Sequence, residues 1–325
     1  MPRAVIFLIM CLFPLLGWAQ TSLEIAYLNI KQGSTLPVDL LSSRTAVFLK
    51  VPPTTTDSPN YWKNLAQELH STLAELKIDA IAYYQWQDLN SGIDATSSYL
   101  QILTTRDISQ IVLVELDQNK YALTIVPTTE DPAFLDVKAE TWHASATEFS
   151  HVLEGLSLAV RSRGLELGNF LVVESPEFFT DTPIFTNNRF ESYQPDLKLD
   201  KLAIPISGDD NPQDLQSADN LRLKTIFQDY PFQYDFVNYQ RGEDLLRQAG
   251  FHYLLLYLYA PESSVKDLLD FQDSSSQTSR MVYKFYMRHI ISGDIYLGNE
   301  WDAATTRDEA LLNHLRNMKR SLKVE

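Results

Sequence analysis

The sequence predicts an α/β or α+β fold made of two similar β-α-β-α-β-β-α units, with helices packed on mixed sheets. Short apolar runs alternate along the chain with amphipathic segments of helical period. Two segments, LTTRDISQIVLVEL at residues 103–116 and LLRQAGFHYLLLYL at residues 245–258, both run from a helix end through a turn into an apolar strand. The elements around them follow in the same order, which predicts that the chain contains one unit twice.

The first unit spans residues 20–168. A run rich in β-forming residues, TAVFLKVP, predicts a strand at residues 45–52. Leucines at helical spacing then predict a helix from Tyr61: Leu65, Leu69, Leu73 and Leu76. The later patterns predict, in order, a strand at residues 80–86, a helix at 95–105, a hairpin of strands at 111–117 and 121–127, and a helix from Phe149 to about Gly164.

Residues 169–200, which contain three prolines, predict an extended connection to a second unit at residues 201–325. The expected elements of that unit are, in order, a strand at residues 201–206, a helix at 218–230, a strand at 234–239, a helix at 242–250 and a strand at 252–261. A polar loop at residues 270–280 then leads into a strand-rich segment at 282–298. Thr306 and Glu309 have capping-box spacing at the start of a last helix.

The two quoted segments resemble a recurring periplasmic module. It occurs in the N-terminal domain of the Tol-system translocation protein TolB and in envelope-assembly lipoproteins of the curli-secretion type. In that module a helix before a small residue leads into a strand of a small α/β sheet. The resemblance implies protein interactions in the cell envelope rather than catalysis. This sequence departs from those proteins because it shows no propeller repeats, no lipid-anchor cysteine and no pore-forming strands.

The first 19 residues predict a secretory signal peptide. Arg3 precedes the apolar run AVIFLIMCLFPLLG, and GWA at residues 17–19 ends at a small residue, as a cleavage site does. The run is too short for a lasting transmembrane helix, which needs about 20 residues. Cys11 lies inside the run behind Met10, which disfavours a lipoprotein. We therefore expect a periplasmic or extracellular protein with no integral membrane segment after cleavage.

Composition narrows the function classes. Cys11 is the one cysteine of the 325 residues, so removal of residues 1–19 would leave no disulfide, thiol nucleophile or thiolate metal ligand. The net charge of −15 disfavours nucleic-acid binding, which relies on clustered Lys and Arg. A hydrophobic content of 45% is sufficient for a packed core, so we expect folded units rather than disorder.

Sequence motifs for nucleotide binding, acyl transfer and metal binding are absent. The sequence contains no G-x-x-x-x-G-K-[ST], G-x-G-x-x-G or G-x-S-x-G pattern. No spacing that places two imidazoles on one metal occurs among the six histidines: His70, His143, His151, His252, His289 and His314. The sequence therefore assigns no catalytic, cofactor-binding or metal-ligating residue, and we expect no cofactor.

Two groups of acidic residues remain as alternatives. SGDDNPQD at residues 207–214 offers oxygen ligands that suit Ca²⁺, but it lacks the spacing of an EF-hand loop, so a solvated turn is favoured. A carboxylate pair for glycoside hydrolysis could come from four residues: Glu115, Asp117, Glu174 and Glu177. The separation of two carboxyls, on which that mechanism depends, is a property of the fold.

Aromatic side chains crowd two of the predicted strands: Tyr253, Tyr257, Tyr259, Tyr283, Phe285 and Tyr286. One face of such strands could stack on sugars or bind a peptide, but packing between sheet and helices is the favoured interpretation. Trp301 similarly predicts a helix entry with the indole packed beneath it.

Together these observations predict an exported, non-enzymatic binding or assembly component of the bacterial cell envelope, with one or more envelope proteins as partners. Two alternatives stay open. One is an extracytoplasmic hydrolase of glycans or peptides that uses carboxylates. The other is a sensor or carrier of a small ligand.

Overall fold

The first sheet is built from the part of the chain that was predicted as the first unit. The computed structural model describes residues 22–52, 61–117, 119–130, 134–178, 185, 188–206, 217–239, 242–271 and 279–324. The strands of the first sheet are β1 (Arg44–Lys50), β2 (Asp79–Gln85), β3 (Ile108–Asp117), β4 (Lys120–Pro127) and β5 (Trp142–Ala146). The helices are α1 (Ser22–Leu28), α2 (Tyr61–Glu75), α3 (Trp86–Leu89), α4 (Ile93–Thr105) and α5 (Phe149–Arg163).

The second sheet follows a connecting segment. Its strands are β6 (Arg189–Phe190), β7 (Lys201–Pro205), β8 (Tyr234–Val237), β9 (Phe251–Pro261), β10 (Met281–His289) and β11 (Ile295–Tyr296). The helices are a 3₁₀ turn (Pro195–Lys198), α6 (Ala218–Phe227), α7 (Glu243–Gln248), α8 (Glu262–Leu268) and α9 (Arg307–Ser321). The predicted signal peptide, the 207–214 loop and most of the 270–280 loop lie outside the described residues.

Both sheets have the same strand order and the same strand directions. The first runs β2-β1-β3-β4-β5, and the second runs β8-β7-β9-β10-β11 with β6 added beyond β11. In each, the first three strands are parallel to one another and the hairpin that follows is antiparallel. This confirms the predicted fold class, two similar units with helices packed on mixed sheets.

The likeness extends to the pairing register. In both sheets, the register between the two central parallel strands shifts after the first pair of residues. That pair is Arg44 and Ile108 in the first sheet, and Lys201 and Phe251 in the second. The residue that directly precedes β3 and the residue that directly precedes β9 both have a positive φ, which is 54° at Asp107 and 80° at Gly250. A left-handed residue turns the chain sharply from helix to strand, which is the turn that both quoted sequence segments share.

The two sheets face each other across a shared core. Along β3, Ile111 and Leu113 face that core while Val112 and Val114 face the other side, as expected for period-two alternation. The shared core also contains apolar side chains of α1, α3, α4, α7 and α8. On the outer faces, α2 and α5 cover the first sheet and α6 and α9 cover the second. The molecule therefore has helices outside both sheets and between them.

The structure corrects the sequence prediction at several elements. β5, α1, α3, α8 and the short β6 were not predicted. Thr306 is the N-cap residue of α9, but its side chain makes no capping hydrogen bond, so the predicted capping box is wrong. Asp308 and Glu309 in the first turn complement the helix dipole instead. Among the described residues, no helix has the length and apolar character that crossing a membrane requires.

Candidate functional site

The carboxyl ends of β1 and β3 meet at the switch point of the first sheet. From β1 the chain crosses to β2 on one side, and it then returns to β3 on the other. In open α/β sheets the crevice outside such strand ends is the usual ligand site. Lys50 ends β1, and its register partner is Glu115 on β3. Lys50 Nζ lies 3.3 Å from Glu115 Oε1, and about a third of the lysine and a quarter of the glutamate side chain are exposed.

Helix α1 covers this ion pair with Tyr27. Lys50 Nζ donates to the Tyr27 hydroxyl at 2.6 Å, and that hydroxyl donates to Glu115. The ammonium also lies 3.9 Å from the Tyr27 ring centroid, and the ring packs on Trp86 at 4.8 Å. Burial, the hydrogen bond to Glu115 and nearby negative charge raise the pKa of Tyr27 well above its usual range. The hydroxyl therefore stays protonated and bridges the two charges.

The four candidate carboxylates do not converge. Glu115 and Asp117 lie together at the carboxyl end of β3. Glu177 instead binds Arg106, which precedes β3, with Nη2 to Oε2 at 2.6 Å. Ile108 and Glu115 are seven positions apart, about 23 Å of extended chain. Glu174 is exposed in the connecting segment. Glu115 and Asp117 therefore lie apart from Glu177, and Glu115 is paired with Lys50.

A buried ion pair joins the two units through the shared core. Arg288 of β10 places Nη1 3.1 Å from Asp94 Oδ1 of α4, and it also binds Glu243 of α7. Tyr286 donates to Asp94 Oδ2 at 2.8 Å, and Tyr239 donates to Glu243 at 2.8 Å. Burial raises the pKa of Asp94, although the guanidinium opposes this. The cluster therefore fixes α4 of the first unit against the second sheet.

A second carboxyl lies at the same interface. Asp88 lies within α3 and is 4% exposed. Burial, together with the negative charge of Asp267, raises its pKa to about 7, although a hydrogen bond from Ser264 of α8 opposes the rise. Its Oδ1 makes no hydrogen bond. Asp88 therefore titrates near neutral pH at a contact between the units.

A buried polar cluster joins Lys284 of β10 to Asp302 and to His314 of α9. Lys284 Nζ lies 2.6 Å from Asp302 Oδ1 and donates to the carbonyls of Leu297 at 2.8 Å and Phe285 at 3.1 Å. The ammonium thus has three acceptors for its three N–H groups. His314 Nδ1 lies 3.4 Å from Asp302 Oδ2, and burial lowers the pKa of His314. Lys284 and His314 are fully buried, so the cluster stabilises the fold and has no route to a substrate.

A serine, a histidine and an aspartate meet in the β10–β11 turn, which the sequence motifs did not predict. Ser292 Oγ lies 2.8 Å from His289 Nδ1 and donates to Asp294 Oδ2 at 2.6 Å. In a catalytic triad the carboxylate binds the histidine, whereas here it binds the serine itself. The trio closes an exposed turn. Among the described residues no group of three or more potential ligands could hold a metal.

The aromatic residues of β9 and β10 pack within the fold. Tyr253, Phe285 and Tyr286 are buried, and Tyr259 and Tyr283 stack at 4.3 Å between ring centroids. Trp301 packs on Phe271 at 5.0 Å, and its indole N–H donates to Glu262 at 2.9 Å. Tyr257, Tyr259 and Tyr283 are half-buried, and Tyr283 contacts both of the others.

A shallow groove of about 660 Å³ lies on the outer surface between α2 and α5. Arg161 and three glutamates contribute to its lining: Glu68, Glu75 and Glu154. A carrier of an apolar ligand needs an enclosed apolar pocket, and this groove is open and has charged side chains in its lining.

Exposed apolar side chains concentrate in the segment that leaves α5. Phe170 is 76% exposed and Leu171 93%, with Leu167 and Val173 also more than 40% exposed. Isolated exposed apolar residues are ordinary, but four within seven positions form a local apolar patch. We call residues 167–173 the apolar segment.

Comparison with known proteins gives no relative: no family model matches the chain, and no curated protein or solved structure is significantly similar to it. The resemblance to the TolB-type module stays a prediction.

Proposed function

We propose that the chain is an exported, non-enzymatic binding or assembly component of the bacterial cell envelope. The observation that carries this proposal is the apolar segment, because it is both exposed and held in place. Gly168 N and Asn169 N donate to the Leu41 carbonyl at 2.9 and 2.8 Å. The Asn169 side chain donates to the carbonyls of Ser43 and Lys77, each at 3.2 Å.

The far end of the apolar segment is fixed as well. His70 Nε2 donates to the Val173 carbonyl at 3.1 Å, while its Nδ1 contacts the Tyr83 hydroxyl at 2.8 Å. Burial lowers the pKa of His70, which favours the neutral ring that makes one donor and one acceptor contact. The backbone that carries Phe170 and Leu171 is therefore ordered before a partner binds. Binding then requires little further loss of backbone conformational entropy.

Aromatic and aliphatic side chains on a fixed backbone supply the central contacts of many protein interfaces. A fully buried Phe or Leu contributes about 1.5–3 kcal/mol relative to its exposed state. Burial of both Phe170 and Leu171 by a partner would thus contribute about 3–6 kcal/mol before the cost of association. The predicted signal peptide at residues 1–19 supports the envelope as the place of that binding.

In-cell cross-linking followed by mass spectrometry tests the proposal. The full chain would be compared with Phe170→Ser/Leu171→Ser and with the control Leu158→Ser, because Leu158 is 72% exposed on α5. We expect one set of envelope proteins with the full chain and the control, and its loss with the double variant. Equal recovery from all three proteins, or a chain retained in the cytoplasm, would contradict the proposal.

A small-ligand carrier is the second candidate, and the Lys50–Glu115 pair at the switch point favours it. A zwitterion could replace the Tyr27 contacts if α1 moved away. Tyr27→Phe removes the hydroxyl that bridges the two charges, so this variant should bind amino acids more tightly than the parent. Calorimetric titration with a set of amino acids would measure the difference, and no heat with either protein would exclude this candidate.

A further inference from the structure

Strand β8 leaves one edge of the second sheet open. The carbonyls of Gln233 and Val237 accept from Leu202 of β7 and from Ile206 directly after it, at 3.0 Å each. Backbone groups alternate in direction along a strand, so those of Tyr234 and Phe236 point away from β7. Among the residues that the structure describes, the Phe236 N–H donates to the neighbouring Asp235 Oδ1 at 2.9 Å and to no backbone carbonyl. Within the described part of the chain, no strand pairs with β8 on this side.

The equivalent edge of the first sheet is covered. Counting from the register shift that both sheets share, Ala46 of β1 and Ala203 of β7 are equivalent. Each of these alanines pairs with one residue of the edge strand, β2 in the first sheet and β8 in the second. The next residue along the edge strand is Tyr83 in β2 and Phe236 in β8. Tyr83 and Phe236 are therefore equivalent positions. The N–H of Tyr83 donates to the Glu177 carbonyl at 2.9 Å.

The covering segment of the first sheet shows what such an edge accepts. Phe178 forms a parallel bridge with Tyr83. Its ring packs at 5.5 Å on Trp62 of α2 and at 6.0 Å on Tyr83. The edge thus takes an extended segment, parallel to the strand, with an aromatic side chain on the outer face.

The same region of the second sheet is also lined by aromatic rings. Phe236 lies 6.2 Å from Phe227 of α6 and 5.7 Å from Tyr234. Tyr230 lies 5.6 Å from Tyr234, and its buried hydroxyl makes no hydrogen bond. Phe236 itself is only partly buried. An incoming aromatic side chain would therefore meet rings here, as Phe178 does on the first sheet.

We propose that β8 binds an extended segment of a partner polypeptide, added parallel to the strand, with an aromatic residue of that segment packed against Phe236. Asp235 is paired with Lys201 at 3.3 Å, so the edge itself carries little net charge. The chain as a whole carries −15, which favours a partner segment with basic flanks by long-range attraction. This inference rests on the sheet geometry and not on the apolar segment, so either can fail alone.

A labelled peptide tests it on the purified full chain. The probe copies residues 172–180 of this sequence, which include the segment that covers β2, and adds two lysines at each end. We expect saturable binding in fluorescence anisotropy, with a loss of at least about tenfold when the probe's aromatic residues become serine. A probe that does not bind, or binds without regard to its aromatic residues, would overturn the proposal.

N-methylation of the probe separates strand addition from other binding. A paired strand presents every second N–H to its neighbour, so methylation of one alternate set should abolish binding while methylation of the other set leaves it unchanged. On the protein side, Phe236→Pro removes the outward N–H as well as the ring, and Phe236→Ala removes the ring alone. We expect weaker binding by Phe236→Pro than by Phe236→Ala, in proteins whose thermal unfolding is cooperative.

Each remaining result decides the proposal. If Phe236→Pro does not fold, the two methylated probes still test strand addition, because they need only the unchanged protein. Equal effects of both methylated sets would overturn it. A stable dimer of the unliganded chain that Phe236→Ala dissociates would assign the edge to a second copy, and it would overturn the partner peptide.

Discussion

Asp88→Asn should make the protein less sensitive to alkaline conditions. Burial raises the pKa of Asp88 from its ordinary 3.8 to about 7. A carboxyl whose pKa is higher in the folded than in the unfolded state contributes stability below its unfolded pKa, and that stability is lost as pH rises through the folded pKa. This rise in the pKa corresponds to about 4 kcal/mol. Between pH 5 and pH 8, about 3 kcal/mol of it should be lost.

The assay is urea denaturation at pH 5 and pH 8, with the free energy of unfolding extrapolated to water. Other groups titrate in this range, so the quantity to compare is the change with pH in each protein. The full chain should lose about 3 kcal/mol more than Asp88→Asn between the two pH values. Asp229→Asn, at an exposed position, controls for the loss of one negative charge.

Equal pH dependence of the full chain and Asp88→Asn would refute the argument. It would mean that the interface between α3 and α8 admits water to Asp88, or that Lys63, which lowers the pKa of Asp88, acts more strongly than burial. The Asp229→Asn control should follow the full chain.

The remaining predictions concern the other buried charges. Lys284→Met leaves Asp302 buried without its cation, so the free energy of unfolding in urea should fall by about 3–5 kcal/mol. Although burial opposes it, the positive charge of Lys284 helps lower the pKa of Asp302 to about 2. The stability from Asp302 should therefore be present above pH 4 and be lost as pH falls towards 2, and Asp302→Asn should flatten this acid limb in the same assay. Arg288→Met should cost about 3–5 kcal/mol by leaving Asp94 unpaired between the units, and a melting curve with a second transition would show that the units had separated.

Local pattern was enough to predict most of the fold. The leucines of α2 and the apolar run of β3 have unambiguous periods, and the repeated helix–turn–strand segments coincide with the two left-handed turns at Asp107 and Gly250. β5 was missed because Trp142–Ala146 is a short, half-exposed edge strand whose sequence has little β-forming character beyond its tryptophan.

The candidate site was harder to predict because its contacts join distant parts of the chain. Tyr27 and Glu115 are 88 residues apart, and Tyr286 and Asp94 are 192 apart. Neither pair has a spacing motif, since only the strand order brings the residues together. The segment of four apolar residues at 167–173 is visible in the sequence, but its exposure depends on how Asn169 fixes the backbone.

The positions at which the two units differ are the strongest guide to what each unit does. Glu115 is the eighth residue of β3, and the eighth residue of β9 is Leu258, so among the described residues this strand position carries a charge in the first unit and an apolar side chain in the second. The open edge belongs to the second unit alone, because an extended segment covers Tyr83 and none of the described residues covers Phe236. Packing requires neither difference, since both sheets have the same order and both share one core. The two units thus share one architecture but differ in the charge at the switch point and in the covering of the edge strand. We expect mutations at these two places to change binding and to leave the free energy of unfolding nearly constant.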